Sequence, residues 1–251
     1  MIDMDGTIYK GGSVIPGAVE AVDFLIKERI PFVFLTNNSS HTREYYSEKL
    51  NGMGFGVGKE RILTSTIATV RFIKERRAGK KVYVIAAPEV TKEIEDMGIE
   101  NCDNNPDIVL LTFDRTITFD KINKAYHCIM GGAELIATHP DDLCPTEGGY
   151  DVDIGQFIHL LCYLTGTSPI VVGKPSGLML EMAAGEMGVD KDGTMMIGDR
   201  LYTDMKMASN AGIKSILVLS GEAKMSDIDE MDEKPTYVIG SVAEMPDLLQ
   251  R

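Results

Sequence analysis

Positive charge is in short supply in this 251-residue chain: 25 lysines and arginines stand against 38 acidic residues, for a net charge of −13. A chain so acidic lacks the basic surface that a phosphate backbone needs, so nucleic acid is not expected as a partner. A small anionic substrate stays open, because a bound metal can reverse the local field. Cysteine is scarce too. Cys102, Cys128, Cys144 and Cys162 form no C-x-x-C pair, which argues against a thiolate metal site and for free thiols in a reducing cytoplasm. His41, His127, His139 and His159 are scattered without an H-x-x-x-H spacing. His159 and Cys162 sit three apart on an expected helix, but no second pair accompanies them. No stretch approaches about 18 uncharged apolar residues, so no membrane span is expected. The start shows no basic region ahead of an apolar run, so no secretory signal is expected. There is no internal repeat and no low-complexity tract.

What is present is an ordinary globular composition, 44% apolar, long enough for one large domain or two modest ones. Strand and helix signals alternate along it. Residues 16–28 read as a helix with Pro16 in its first turn. The continuous apolar run 30–35 suits a strand buried in a parallel sheet. Helices follow at 42–53 and 64–77, a strand at 82–86, a helix at 88–97, a strand at 108–112, a helix at 119–130 and a strand at 135–138. The stretch 139–155 is polar and irregular, and its acids Asp141, Asp142, Glu147, Asp151 and Asp153 suggest a functional loop. After a helix at 156–164 come strands at 170–175, 194–197, 215–219 and 237–239, with helices at 176–187, 203–211 and 242–249. This alternation predicts α/β architecture with a doubly wound parallel sheet. Residues 80–168 read as an inserted α/β domain, which leaves 1–79 and 169–251 as the two parts of one core.

The opening stretch Met1-Ile2-Asp3-Met4-Asp5-Gly6-Thr7 organises the rest. Its apolar lead-in is shorter than the roughly five residues of an ordinary strand, so the natural chain is expected to begin upstream of this numbering. Side chains two apart on a strand share a face, and two acids there repel unless a cation or proton relieves them. Asp-Gly alone is also a common turn signal. Four expected strand ends carry Asp3 with Asp5, Thr36 with Asn37, Lys174, and Asp199 with Asp204. In a parallel sheet such ends meet at one carboxyl edge. Asp3, Asp199 and a backbone carbonyl near Asp5 offer hard oxygen ligands of the kind that bind Mg²⁺. Thr36, Asn37 and Lys174 offer donors and positive charge to phosphate oxygens. Like unit charges about 4 Å apart cost roughly 4 kcal/mol at an effective dielectric near 20. A carboxylate attacking a phosphate dianion therefore needs both cations, and with them it can form an aspartyl-phosphate. Asp5 is placed to protonate the leaving oxygen and then activate water.

Together these stretches resemble the four motifs of the haloacid dehalogenase (HAD) superfamily: Asp3-Met4-Asp5-Gly6-Thr7, Leu35-Thr36-Asn37-Asn38, Gly173-Lys174-Pro175, and Gly198-Asp199-Arg200-Leu201-Tyr202-Thr203-Asp204. Thr-Asn-Asn in the second motif, the form of the fourth and the large insertion resemble the NagD / p-nitrophenyl phosphatase subfamily. Ala137-Thr138-His139-Pro140-Asp141, Pro145-Thr146 and Gly155 resemble its cap loop, and Leu219-Ser220-Gly221 its late strand end. The resemblance implies a Mg²⁺-dependent phosphatase acting on sugar phosphates, nucleoside monophosphates or p-nitrophenyl phosphate. It implies Asp3 as nucleophile, Asp5 as general acid/base, and Asp3, Asp199 and the Asp5 carbonyl as metal ligands. Thr36, Asn37 and Lys174 would bind phosphate, and Asp204 would support the metal site from behind. The cap loop reads Asp151-Val152-Asp153-Ile154-Gly155 where many members carry Pro-Gly or Pro-Asp, which leaves the substrate open. For Asp141 and Asp153, loop solvation and substrate contact stay equally open.

Two rival functions remain at this point. A phosphotransferase or mutase would pass the phosphoryl group to another hydroxyl. A signalling receiver also gathers acids, Thr and Lys around Mg²⁺, but has no room for a domain-sized insertion between its Thr and its Lys. A homodimer is left open.

Overall fold

The computed structural model describes residues 1–146 and 148–250, so Glu147 of the expected polar loop and Arg251 of the second core part lie outside the described residues. In chain order the strands are β1 (Ile2–Asp3), β2 (Tyr9–Lys10), β3 (Ser13–Val14), β4 (Phe34–Thr36), β5 (Ile62–Thr64), β6 (Val82–Ile85) and β7 (Ile108–Leu111). They continue as β8 (Glu134–Ala137), β9 (Leu143–Thr146), β10 (Gly149–Val152), β11 (Ile170–Val171), β12 (Met195–Gly198), β13 (Lys214–Val218) and β14 (Tyr237–Ile239). The helices are α1 (Ala18–Lys27), α2 (Arg43–Gly52), α3 (Ser65–Arg76), α4 (Pro88–Asp96), α5 (Phe119–Met130), α6 (Ile154–Thr165), α7 (Gly177–Met187), α8 (Lys206–Ala211) and α9 (Met245–Leu249). The chain packs as two compact units. Met1–Thr36, Glu44–Leu63 and Pro175–Arg251 make the first, and Asn37–Arg43 with Thr64–Lys174 the second.

The first unit is built on a six-stranded sheet of order β14-β13-β12-β1-β4-β5. β1 runs parallel to β12 and to β4, pairing Ile2 with Ile197 and with Phe34. These central strands are buried, and Ile2, Phe34, Ile197 and Ile216 join one core with Ala18, Val22 and Leu25 of α1. That is why residues 30–35 read as an unbroken apolar run rather than an alternation. The regular strand there is shorter than the run, because only Phe34–Thr36 completes the ladder. Strand β5 was not anticipated. Its three residues show no period, and they lead straight into α3, whose N-cap Thr64 accepts the Ile67 N–H at 3.2 Å.

The second unit holds a four-stranded sheet, β11-β8-β7-β6, with parallel pairing throughout. Ile85, Val109, Leu111 and Leu135 pack against Ala125 and Ile129 of α5 and Ile158 and Leu161 of α6. Two expectations are corrected here. The strand before Lys174 was expected in the sheet that carries Asp3. It lies instead beside β8, with Ile170 opposite Ile136 and Val171 opposite Ala137. A short apolar run fits any parallel sheet with an open edge, and nothing local names which one. The polar stretch 139–155 was expected to be irregular. It contains the antiparallel hairpin β9–β10, with Leu143 opposite Val152 and Pro145 opposite Tyr150. A proline inside one strand masked its signal. The four cysteines are free and half-buried, as expected.

Candidate active site

The register of the first sheet decides which side chains meet. Asp3 ends β1 opposite Leu35, so Thr36 leaves the same edge one residue on. Gly198 ends β12 opposite Leu217 of β13, so Asp199 and the loop beginning at Leu219 follow at that edge. Beyond Asp3 the chain turns sharply. The Thr7 and Ile8 N–H groups donate to the Met4 carbonyl at 3.2 and 2.9 Å, and Gly6 sits at φ 90°. The Thr7 hydroxyl thereby reaches Asp3 Oδ2 at 3.2 Å. Asp204 is brought in by one π-helical turn, Leu201–Met205, where an ordinary α-helical start was expected. Its Oδ2 accepts the Arg200 N–H at 3.2 Å.

Carboxylate oxygens of Asp3, Asp199 and Asp204 lie within 4.8 Å of one another, and all three residues are buried. Burial first, then the charges of Asp3 and Asp204, push the Asp199 carboxyl up to about 8. Its Oδ2 accepts the Glu222 N–H at 2.8 Å, while its Oδ1 is buried with no hydrogen-bond partner. A Cβ built at Gly6 or at Gly221 would collide with this carboxylate, so the wall around it is bare backbone. A buried oxygen without a donor, set among hard anionic oxygens, suits a small divalent cation such as Mg²⁺. Asp5 is exposed, yet the protein around it and the charge of Asp3 raise its pKa, with Lys49 and Arg200 opposing. Lys49 lies 3.9 Å above the Tyr9 ring. Burial opposes the Arg200 charge, but Asp3, Tyr202, Asp199 and Glu222 raise its pKa above the ordinary arginine value.

In the second unit Asn37 and Lys174 are both buried and lock together. The Lys174 N–H donates to Asn37 Oδ1 at 2.8 Å, and Asn37 Nδ2 donates to the Lys174 carbonyl at 2.9 Å. Asn37 Nδ2 also reaches Asp141 Oδ2 at 3.1 Å. Asp141 is therefore tied to a candidate phosphate-binding residue. Asp153 is neither solvated nor free for substrate: it is 3% exposed, and its Oδ1 lies 3.0 Å from His139 Nε2 and accepts the Ile154 N–H at the start of α6. His139 is fully buried, with Nδ1 3.1 Å from Thr138 Oγ1.

Of the expected residues, the first unit brings together Asp3, Asp199 and Asp204, with Thr36 on the same sheet edge. The second brings together Asn37, Lys174 and Asp141. The roles of Thr7, Glu222 and Ser220 escaped the sequence reading. Ser220 donates to the Gly6 carbonyl at 2.8 Å. Only the glycine before Glu222 hinted at close approach, and it could not say to what.

Comparison with known proteins points the same way. A model described as haloacid dehalogenase-like hydrolase matches residues 1–100, and one described as HAD-hydrolase-like matches residues 171–245. Dihydroxyacetone phosphatase of Corynebacterium glutamicum is 36% identical over 98% of this chain and 90% of its own length. The 5'-nucleotidase YutF of Bacillus subtilis is 34% identical over 97% of this chain and 95% of its own. The crystal structure of 4-nitrophenylphosphatase from Thermotoga maritima superposes with a TM-score of 0.93 at 37% identity, covering 98% of this chain and 95% of that one.

Proposed function

The chain belongs to the haloacid dehalogenase-like hydrolases, and on that premise we propose that it hydrolyses small phosphate monoesters with Mg²⁺ through an aspartyl-phosphate. The observation that carries this reading is the buried Asp3–Asp199–Asp204 cluster with its partnerless Asp199 oxygen. Phosphatases of this superfamily are generally metal-dependent. In our reading Asp3, Asp199 and the Asp5 carbonyl hold the Mg²⁺, with Asp204 behind them. The bound ion would offset the repulsion between a carboxylate and a phosphate dianion.

Asp3 attacks phosphorus, and the alcohol oxygen leaves with a proton from Asp5. Water then gives a proton to Asp5 and attacks the acyl phosphate, which releases phosphate and restores Asp3. The raised pKa of Asp5 supports its carrying that proton, since an acid works best when its pKa approaches the working pH. The Thr7 hydroxyl holds one Asp3 oxygen and so orients the nucleophile. Thr36, Asn37 and Lys174 are assigned to the phosphate oxygens. The second unit, which contains the expected insertion 80–168, is assigned the choice of leaving group. Relatives named as a dihydroxyacetone phosphatase, a 5'-nucleotidase and acid sugar phosphatases support a small phosphorylated metabolite as substrate. No helix among the described residues is long and apolar enough to cross a membrane, and we place the enzyme in the cytoplasm on its free thiols.

Phosphate release from triose phosphates, hexose phosphates, nucleoside 5'-monophosphates and p-nitrophenyl phosphate, with Mg²⁺ and with chelator, tests the proposal. Hydrolysis that vanishes with chelator and returns with Mg²⁺ is expected. Full turnover in a demonstrably metal-free preparation, or transfer of the phosphoryl group to an added sugar in place of water, would overturn it.

A further inference from the structure

The strand-end loop that follows β13, Leu219-Ser220-Gly221-Glu222-Ala223, takes no part in the chemistry above, yet it surrounds Asp199. The Ala223 N–H donates to the Asp199 carbonyl at 3.1 Å, and the Glu222 N–H donates to Asp199 Oδ2 at 2.8 Å. Gly221 lies so close to the carboxylate that it has no space for a Cβ. The Ser220 hydroxyl ties the loop to the Gly6 carbonyl at 2.8 Å, across from the turn that carries Asp5. One carboxylate oxygen is thus occupied, and the other is left buried without a partner. A carboxylate rotates freely about its last bond unless something holds one oxygen. The loop does that holding.

The loop is itself held by a side chain. Glu222 Oε2 lies 3.1 Å from Arg200 Nε and accepts the Tyr202 hydroxyl at 3.2 Å. Arg200 and Tyr202 follow Asp199 in sequence and open the π-helical turn that delivers Asp204. Glu222 therefore links the two segments that bracket the cluster, although its own carboxylate is half-exposed.

We propose that this loop is a carboxylate clamp that presents Asp199 Oδ1 to a divalent cation, and that Glu222 is the positioning residue that sets it. The proposal rests on the metal reading given above. Groups behind a metal ligand fix its orientation, and their removal lowers affinity without removing a ligand.

The test is Mg²⁺ binding by calorimetry to the full chain, with the melting temperature in chelator as the measure of folding. Glu222→Ala should weaken Mg²⁺ roughly tenfold while melting near the wild-type temperature. Glu222→Gln keeps an acceptor for the Tyr202 hydroxyl but loses the charge, and should stay within about twofold of wild type. In turnover, the apparent Mg²⁺ requirement of Glu222→Ala should rise, and kcat should recover as Mg²⁺ is raised. A Gln variant as weak as the Ala variant would mean that charge acts through space, and would overturn the clamp. Equal affinity in all three proteins would overturn it as well. A wild-type protein that binds no Mg²⁺ would overturn the metal reading itself and the clamp with it, so the wild-type titration separates the two failures.

Discussion

The two sheets of this protein treat their acids in opposite ways. In the second unit the buried carboxylates of Asp153 and Asp114 have built-in partners. Asp153 has His139 and the Ile154 N–H, and the fully buried carboxylate of Asp114 has Lys121 and the Thr116 N–H. In the first unit three carboxylates converge, one oxygen of Asp199 has no donor, and that group's pKa rises to about 8. Folded chains rarely leave such an atom unsatisfied. On the metal reading, the contrast separates acids that build the fold from acids kept for an external charge.

The deepest way to break the contrast is at Asp3. Asp3→Asn should lower turnover by at least on the order of 10⁴-fold, because an amide does not attack phosphorus. Rapid quench with labelled substrate and peptide mapping should find the label of the wild type on Asp3, and a label on Asp5 would reverse the assignment. Asp5→Asn should cost about 10²–10⁴-fold with alkyl phosphates. Its loss should be smaller with p-nitrophenyl phosphate, whose leaving group needs no proton, and the phosphorylated enzyme should then accumulate.

Stability measurements sharpen the contrast further. Asp153→Ala should destabilise the protein by about 1–3 kcal/mol in urea titrations, since His139 and the Ile154 N–H then lose their buried partner. Asp199→Asn should do the reverse in chelator. A carboxyl whose folded pKa is raised binds its proton more tightly folded than unfolded, so its charged form opposes folding. The stability of metal-stripped protein should therefore fall as pH climbs from the ordinary carboxylate value of 3.8 towards about 8. Asp199→Asn, or saturating Mg²⁺, should flatten that slope. An unchanged slope in the variant would show that another group carries it. The smallest effect is expected at Glu134, whose pKa Arg77 holds below the ordinary value from 2.8 Å away. Its contribution is present above the ordinary carboxylate pKa and lost as pH falls through the lowered one. At a third exposed, the pair is screened, and Glu134→Gln should cost less than about 1 kcal/mol.

Much of this was legible in the sequence, and for identifiable reasons. Helix α5 begins at Phe119 and ends at Met130, as its pattern predicts, because Thr118 caps one end and Gly131-Gly132 follow the other. The parallel pairing of β4, β1, β12, β13 and β14 follows from apolar runs closed by polar residues, whereas β5 of that sheet was not anticipated. The acids at 3, 199 and 204 were singled out as chemistry-bearing, and they converge. What stayed hidden depends on pairing across long separations. Strand β11 carries the same apolar signal whichever sheet it joins. Asp153 looks like any loop acid until His139 is found 3.0 Å away. The hold of Glu222 on Asp199 is made by a backbone N–H, which every residue but proline has, so no side-chain pattern announces it.

The strand order of the first sheet has a consequence for how the molecule is made. β1 holds the nucleophile candidate, but its neighbour β12 is not synthesised until Met195–Gly198. The sheet of the second unit, by contrast, has all four strands once Val171 has left the ribosome. Synthesis runs N-terminal first and far slower than local folding, so β1 waits with one flank uncovered until β12 emerges. The carboxylate cluster closes only with Asp199 and Asp204, and its clamp only with Glu222. A nascent chain halted within α7 already contains Asn37 and Lys174 but neither Asp199 nor Asp204. On the proposed reading, hydrolytic competence thus follows completion of the second unit's sheet and waits for Asp199, Asp204 and Glu222.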